Sequence, residues 1–192
     1  MTQLVPFRLD GRAAFATFAA VVAICALHAP LARAADAFVL TSPGLTDGAT
    51  LAASHAASVR DCGGGNVSPA LQWRHAPAGT RSFAVSIFDP DGAKGLGVVH
   101  WVQYGIPASV DSLAEGGTMP AGSVGGVNRS GQTGYSGPCP PVGDIAHHYV
   151  VQIYALDLAP DALPAGLTRD ALLAALKDHV LAATSIVLRY AR

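Results

Sequence analysis

From Gly137 to Tyr149 the chain reads Gly-Pro-Cys-Pro-Pro-Val-Gly-Asp-Ile-Ala-His-His-Tyr, and this stretch leaves the backbone few choices. Pro138, Pro140 and Pro141 fix their own φ angles, while Gly137 and Gly143 permit tight or left-handed turns. The result is a rigid loop that runs straight into Tyr149–Leu156, which reads as a strand. Strand side chains alternate in direction, so His147 and Tyr149 leave the loop on one face and His148 on the other. A stiff loop beside an imidazole and a phenol suits a small-anion cradle. A buried turn before a core strand fits the same residues equally well.

A second stretch has the same grammar. Asp89-Pro90-Asp91-Gly92-Ala93-Lys94-Gly95-Leu96-Gly97-Val98-Val99-His100-Trp101 is a strand end, a glycine-rich loop and a strand carrying a histidine. A third motif, Cys62-Gly63-Gly64-Gly65-Asn66-Val67-Ser68-Pro69-Ala70-Leu71-Gln72-Trp73, precedes both. In this order the three resemble the phosphatidylethanolamine-binding protein family, in particular its bacterial branch of Raf-kinase-inhibitor-like proteins. The resemblance covers nearly all of the chain that follows the N-terminal segment.

That segment has the features of an export signal. Arg8 and Arg12 give a positive start, Ala13–Leu27 is almost wholly apolar, and Ala32-Arg33-Ala34 fits a small-x-small cleavage site. The apolar run is short for a membrane span, which needs roughly 20 residues. No adjacent arginine pair marks a twin-arginine route, and Ile24 is too large for a typical lipoprotein site at Cys25. Residues 1–34 are therefore expected to be a signal peptide, cleaved after Ala34 or Ala35, and residues 35–192 one domain, periplasmic or secreted; an uncleaved N-terminal anchor is the alternative. Cleavage removes three basic residues and one acidic one, leaving nine against twelve and a net charge near −3. A nucleic-acid binder usually carries a basic stripe, and none is expected here. Docking on anionic lipid by charge alone is disfavoured for the same reason.

Along the chain, Thr41–Thr50 is rich in turn formers, and Leu51–Val59 reads as a strand weakened by its alanines. A loop over Arg60–Pro69 leads into a strand that starts at Leu71. Arg81–Phe88 is a strand in which Phe83, Val85 and Ile87 alternate with Ser82, Ala84 and Ser86, a pattern for one face on the core. Asp89 continues the face of Phe83, either at the lip of a pocket or capping a turn, the commoner role of an Asp before a turn. In the next strand, Val98–Gly105, alternation puts His100, Val102 and Tyr104 on one face and Trp101 and Gln103 on the other. A histidine there is a satisfied core residue or a ligand. Ile106–Gly134 is long and loop-like, and a loop of that length in a compact domain is functional or mobile. Thr168 is placed to cap a helix that begins at Arg169 and carries Leu172, Leu173 and Leu176 at helical spacing. His179 follows, placed to interact with the helix dipole. Periodicity leaves Ala182–Tyr190 open between strand and helix.

What the resemblance implies is more specific. The fold is mostly β, an antiparallel β-sandwich-like arrangement of a large central sheet and a smaller one with a few peripheral helices. A pocket for phosphate or a phospholipid head group is expected from Asp89, His100, Gly137, Pro138, His147 and Tyr149, with Asn128–Gly134 lining it. The chemistry is consistent with that role. Loop amides such as the Gly137 N–H can face anion oxygens, His100, His147 and Tyr149 can donate to them, and Asp89 can orient a histidine or receive an ammonium. The chain departs from the family pattern at Gly92-Ala93, at Val98-Val99 and at Tyr135-Ser136, which alters the rim and the head-group preference. Two cysteines, Cys62 and Cys139, remain in the exported chain and both flank motif loops; a disulfide between them is expected, against the alternative of two reduced, buried thiols. Neither has a Cys or His at zinc-ligand spacing, so no metal and no cofactor is expected. No Gly-x-Ser-x-Gly element or activated cysteine is present, so a binding protein is expected rather than an enzyme. The alternative is a protein inhibitor or modulator of a protease, a host protein or another extracytoplasmic partner.

Overall fold

A computed structural model describes residues 36–192; the expected signal peptide, its cleavage site and Cys25 lie outside the described residues. Two antiparallel sheets form the body. The smaller has strand order β1-β2-β5, with β1 Val39–Thr41, β2 Leu71–Arg74 and β5 Ser112–Leu113. The larger has order β6-β4-β3-β7-β8, with β3 Ser82–Asp89, β4 Val98–Pro107, β6 Val124–Gly125, β7 His147–Leu156 and β8 Val180–Tyr190. Two short α-helical segments, α1 Gly92–Gly95 and α2 Arg169–Leu176, and two 3-10 turns, Ala53–His55 and Arg60–Cys62, complete the set. This is the mostly-β, two-sheet fold expected. No helix among the described residues is long and apolar enough to cross a membrane.

Apolar residues fill both faces of the large sheet. Between the sheets, Leu40, Leu71, Trp73 and Leu113 meet Phe83, Val85, Ile87, Tyr149, Val151 and Ile153. On the outer face, Ala84, Val102, Tyr104, Tyr154 and Leu156 are covered by Leu172 and Leu176 of α2. The alternation in β3 therefore does not mark a wet face: Ser82 donates to the Leu158 carbonyl at 2.8 Å, and Ser86 is buried. Burying Leu172 and Leu176 contributes roughly 2 kcal/mol each. The Thr168 hydroxyl oxygen caps α2 by accepting from the Ala171 N–H at 3.2 Å, as expected.

Two sequence expectations change. Leu51–Val59 is not a strand; it holds a 3-10 turn at Ala53–His55, and its small alanines let the backbone of Ala56 pack against the loop at Gly137. The long segment after β4 is broken by β5 and β6, two residues each, pinned to the sheet edges. His179 follows α2, as expected, with its N–H donating to the Leu176 carbonyl at 2.9 Å, and its Nδ1 pairs with Asp157 Oδ1 at 2.9 Å. Ala182–Tyr190 lies within β8, paired along its length with β7.

The register of β3 against β4 contains two irregularities. Phe83 faces Ile106 and Val85 faces Gln103, so Ala84 opposes both Tyr104 and Gly105. Gly105 has φ +65°, and a Cβ there would lie 2.3 Å from the Pro160 carbonyl oxygen. Gly105→Ala is expected to cost about 2–3 kcal/mol from combined strain and overpacking, measured by urea denaturation; a loss under about 0.5 kcal/mol would show that the loop at Pro160 yields freely.

Candidate ligand site

The second irregularity builds the site. Ile87 faces Trp101 and Phe88 faces Val99, which leaves His100 as an extra, unpaired residue. Such a bulge breaks the alternation of side chains. Trp101 belongs to the inter-sheet core and Val102 to the outer face, while the His100 ring packs edge-on against Tyr149, centroids 5.1 Å apart. The expected grouping of His100 with Val102 and Tyr104 is corrected accordingly. His100 Nδ1 lies 2.6 Å from the Ser136 carbonyl oxygen. A carbonyl only accepts, so Nδ1 carries a proton, and Nε2 points toward Asp89 Oδ2 at 3.9 Å, too long for a hydrogen bond.

Asp89 ends β3 and does both jobs open to it. Its Oδ1 accepts from the N–H groups of Asp91 at 2.9 Å and Gly92 at 3.0 Å, capping the turn. Its Oδ2 accepts from His147 Nδ1 at 2.9 Å, across from the first residue of β7. Burial alone would push the Asp89 carboxyl up, but the contacts of His100 and His147 and the Gly92 amide outweigh it, and its pKa lies below the ordinary value. Burial would likewise lower His147, yet the hydrogen bond and charge of Asp89 leave its pKa above the ordinary value. The two directions describe one stable ion pair, only 3 % and 6 % exposed. His148 leaves β7 on the opposite side, as expected, and pairs with Asp91 at 2.9 Å in a more exposed copy of the same arrangement.

Around the buried pair is a cleft of about 80 Å³, walled by Asp89, His100 and His147, by Gly92 and Ala93 of α1, and by Cys139 and Pro140 of the proline loop. Ala93 and Lys94 both hold positive φ, 51° and 61°, so the α1 rim is a strained left-handed turn held by the Asp89 cap. Arg129 also lines the cleft. Sequence reasoning placed the segment Asn128–Gly134 here but not this side chain. Asn128 organises that turn: its Oδ1 accepts from the Ser130 N–H at 2.9 Å and its Nδ2 donates to the Gly134 carbonyl at 2.9 Å. The Arg129 N–H in turn donates to the Val99 carbonyl at 2.7 Å.

Gly137, Pro138 and Tyr149 stand differently. The Gly137 N–H donates to Asn66 Oδ1 at 2.8 Å, not into the cleft. What approaches Gly137 closely is the chain itself, since a Cβ there would lie 2.2 Å from the His55 carbonyl oxygen. Pro138 and Tyr149 line a narrower space behind His100, closed by Ile87 and Tyr135 and too tight for a water-sized sphere. The Tyr149 hydroxyl is buried there without a hydrogen-bond partner, and burial raises its pKa strongly. Cys62 and Cys139 form a disulfide, as expected, with Cα atoms 5.3 Å apart. Among the described residues no group of three His, Cys, Asp or Glu side chains is arranged to hold a metal ion.

Comparison with known proteins gives the same picture. Residues 41–191 match the sequence model of the phosphatidylethanolamine-binding proteins. The UPF0098 protein YbcL of Escherichia coli is 44 % identical over 128 residues, 64 % of this chain and 70 % of that protein. The UPF0098 protein YbhB of the same organism is 39 % identical over 124 residues, 62 % of this chain and 78 % of that one. The crystal structure of Escherichia coli YbcL, described as a member of the mammalian PEBP family, superimposes with a TM-score of 0.74 at 36 % identity, over 81 % of this chain and 98 % of that one. With the family's sequence model, the relatives YbcL and YbhB and the fold in agreement, this chain belongs to the phosphatidylethanolamine-binding protein family, in the bacterial branch of YbcL and YbhB.

Proposed function

We propose that the chain is an exported binding protein for a small ligand bearing a phosphate or phospho-head-group, held in the cleft at Asp89, His100 and His147. The observation that carries this reading is the buried Asp89–His147 pair with Arg129 at its mouth. Asp89 favours the protonated imidazole of His147, and its own charge is satisfied within the wall; Asp144 Oδ2 lies 3.7 Å from His147 Nε2 on a half-exposed side chain that an anion can displace, and Arg129 adds a cation with no acidic partner among the described residues. Both cations donate charge-assisted hydrogen bonds, the strong kind for a phosphate. The disulfide supports a periplasmic or secreted location, where oxidising conditions maintain such bonds. No reaction is assigned. The cleft wall offers no free hydroxyl or thiol nucleophile, because Cys139 is bonded to Cys62.

Titration with O-phosphoethanolamine, and with inorganic phosphate, tests this. Wild type should bind saturably, and His147→Ala should weaken binding by at least about tenfold, the loss of one charge-assisted hydrogen bond. Phosphate monoesters gain their second charge near pH 6, so affinity should level off above that value. It should then fall as pH rises through the raised pKa of His147, above the usual 6.5. Affinity that stays undiminished while the His147 imidazole loses its proton in an NMR titration, or full binding by His147→Ala, would remove His147 from the site.

A second reading, modulation of a protease or another extracytoplasmic protein through the surface, rests on Leu96, Val142 and Ile145. These side chains are 88 %, 77 % and 80 % exposed, on the loops that carry the cleft walls. That activity would survive His147→Ala and be lost on replacing Leu96 and Ile145 by Ser.

A further inference from the structure

Beside the cleft lies a larger groove of about 380 Å³, walled by Val98, Val99, Val127 and Arg129 on one side and by Arg169 and Asp170 at the start of α2 on the other. Val98 and Arg129 line both spaces, so the two adjoin. The groove contains two arginines of different character. Arg129 is exposed, and no acidic side chain among the described residues lies within ion-pair distance of it. Arg169 is built in. Its side chain is 20 % exposed, its Cζ sits 4.4 Å above the centroid of the Phe88 ring, and its Nε is buried without a hydrogen-bond partner. Its ion contact is Asp170, 3.9 Å away and 95 % exposed, a pairing too wet and too long to neutralise it. A guanidinium fixed by stacking keeps its planar donors oriented and loses little entropy on meeting a carboxylate or phosphate.

We propose that this groove is a second anion subsite for the same ligand, and that the ligand is therefore two-ended. Its phosphate occupies the cleft at His147, a short apolar spacer crosses Val98 and Val99, and a second anionic group, carboxylate or phosphate, sits between Arg129 and Arg169. Arg129 at the junction serves both ends. The inference rests on the reading of the cleft given above and adds the ligand class: a molecule with one anionic group occupies only half of the site.

The test uses short phosphonocarboxylates of increasing chain length, each paired with the alkylphosphonate of the same length, titrated into the full chain. Wild type should bind at least one phosphonocarboxylate about tenfold more tightly than its partner, the yield of one added charge-assisted contact. That preference should shrink as salt rises. Arg169→Gln should abolish the preference, with the alkylphosphonates, which reach only the cleft, reporting that the cleft is intact; Arg169→Lys should retain part of it. Equal affinity within every pair, with the alkylphosphonates bound, overturns the second subsite and leaves the cleft standing. A preference that survives Arg169→Gln overturns the assignment to this groove. Failure of inorganic phosphate and of every phosphonate to bind overturns both readings together.

Discussion

Asp89→Asn is expected to destabilise the protein by about 3 kcal/mol, and the raised pKa of His147 is expected to fall. The amide keeps the shape of the carboxylate, and its oxygen can still accept from the Asp91 and Gly92 N–H groups that Oδ1 now holds. What changes is the other atom. Oδ2 accepts from His147 Nδ1 at 2.9 Å and faces His100 Nε2 at 3.9 Å; the amide offers N–H groups to those nitrogens. Removing one partner of a buried ion pair costs about 3–5 kcal/mol, because the other charge is left without compensation. His147 can escape part of that cost by giving up its proton and accepting from the new amide, which places the expected loss at the lower end. Burial, which lowers its pKa, is then opposed only by Asp91 and Asp144, so the pKa falls from its wild-type position. Urea denaturation at pH 6 reads the first effect and an NMR titration of the imidazole the second. A loss under about 1 kcal/mol, with the His147 pKa unmoved, would mean that Asp91 and Asp144 rather than Asp89 hold the imidazolium.

The same pair gives stability a defined pH window. The folded pKa of Asp89 lies below its ordinary value of 3.8, so its contribution is complete above that value and is lost as pH falls through the folded pKa. His147 runs the other way: its contribution is complete below the ordinary 6.5 and is lost as pH rises through the higher folded pKa. Wild-type stability should therefore peak between about pH 4 and 6.5, and Asp89→Asn should flatten both flanks of that peak.

Much of this arrangement is legible in the sequence, and its gaps have physical causes. The alternation that puts His147 and Tyr149 on one face holds because β7 pairs without interruption with β8 from His147 to Ala155. In β4 the same argument failed at His100, because a bulge is a property of two strands in register and leaves no mark in one strand's alternation. Asp89 was readable as either pocket or cap, and the structure shows that its two oxygens divide the roles. Arg129 was missed because its loop has no periodicity; the available signal was Asn128, whose side chain closes a turn and so fixes the next residue. The Gly137 N–H suits an anion by its chemistry, but a loop amide does not say what it faces: here it faces Asn66, and the close approach that needs a glycine is that of the chain at His55 and Ala56. Leu51–Val59 reads as a weak strand from its apolar residues, but Leu51 meets the sheets, while Ala56 and Ala57 pack against the loop at Gly137 and Pro138.

Loss of the Cys62–Cys139 bond is the other change expected to be large, and its effects on stability and on binding should separate. The bond closes a span of 77 residues, for which chain entropy alone gives about 4.5 kcal/mol. Residual order in the reduced unfolded chain makes that an upper figure. The double variant Cys62→Ala, Cys139→Ala should lose about 3 kcal/mol and melt on the order of 10 °C lower. The loop it releases is tied down independently at several points. The Ala57 N–H donates to the Pro138 carbonyl at 2.9 Å, and Asn66 holds Gly137. Arg192 bridges the same two segments that the disulfide joins, through Nε to the Pro140 carbonyl at 2.7 Å and Nη1 to the Asp61 carbonyl at 2.6 Å. At a temperature where the variant remains folded, these bonds should keep the cleft wall in place and phosphate affinity within about threefold of wild type, under 1 kcal/mol. An unchanged melting temperature would show that the native hydrogen bonds, persisting in the unfolded ensemble, already restrict the chain as much as the disulfide does. Affinity lost in a folded variant would show instead that the bond positions Pro140 and Cys139 against the ligand, and that reducing conditions switch the site off.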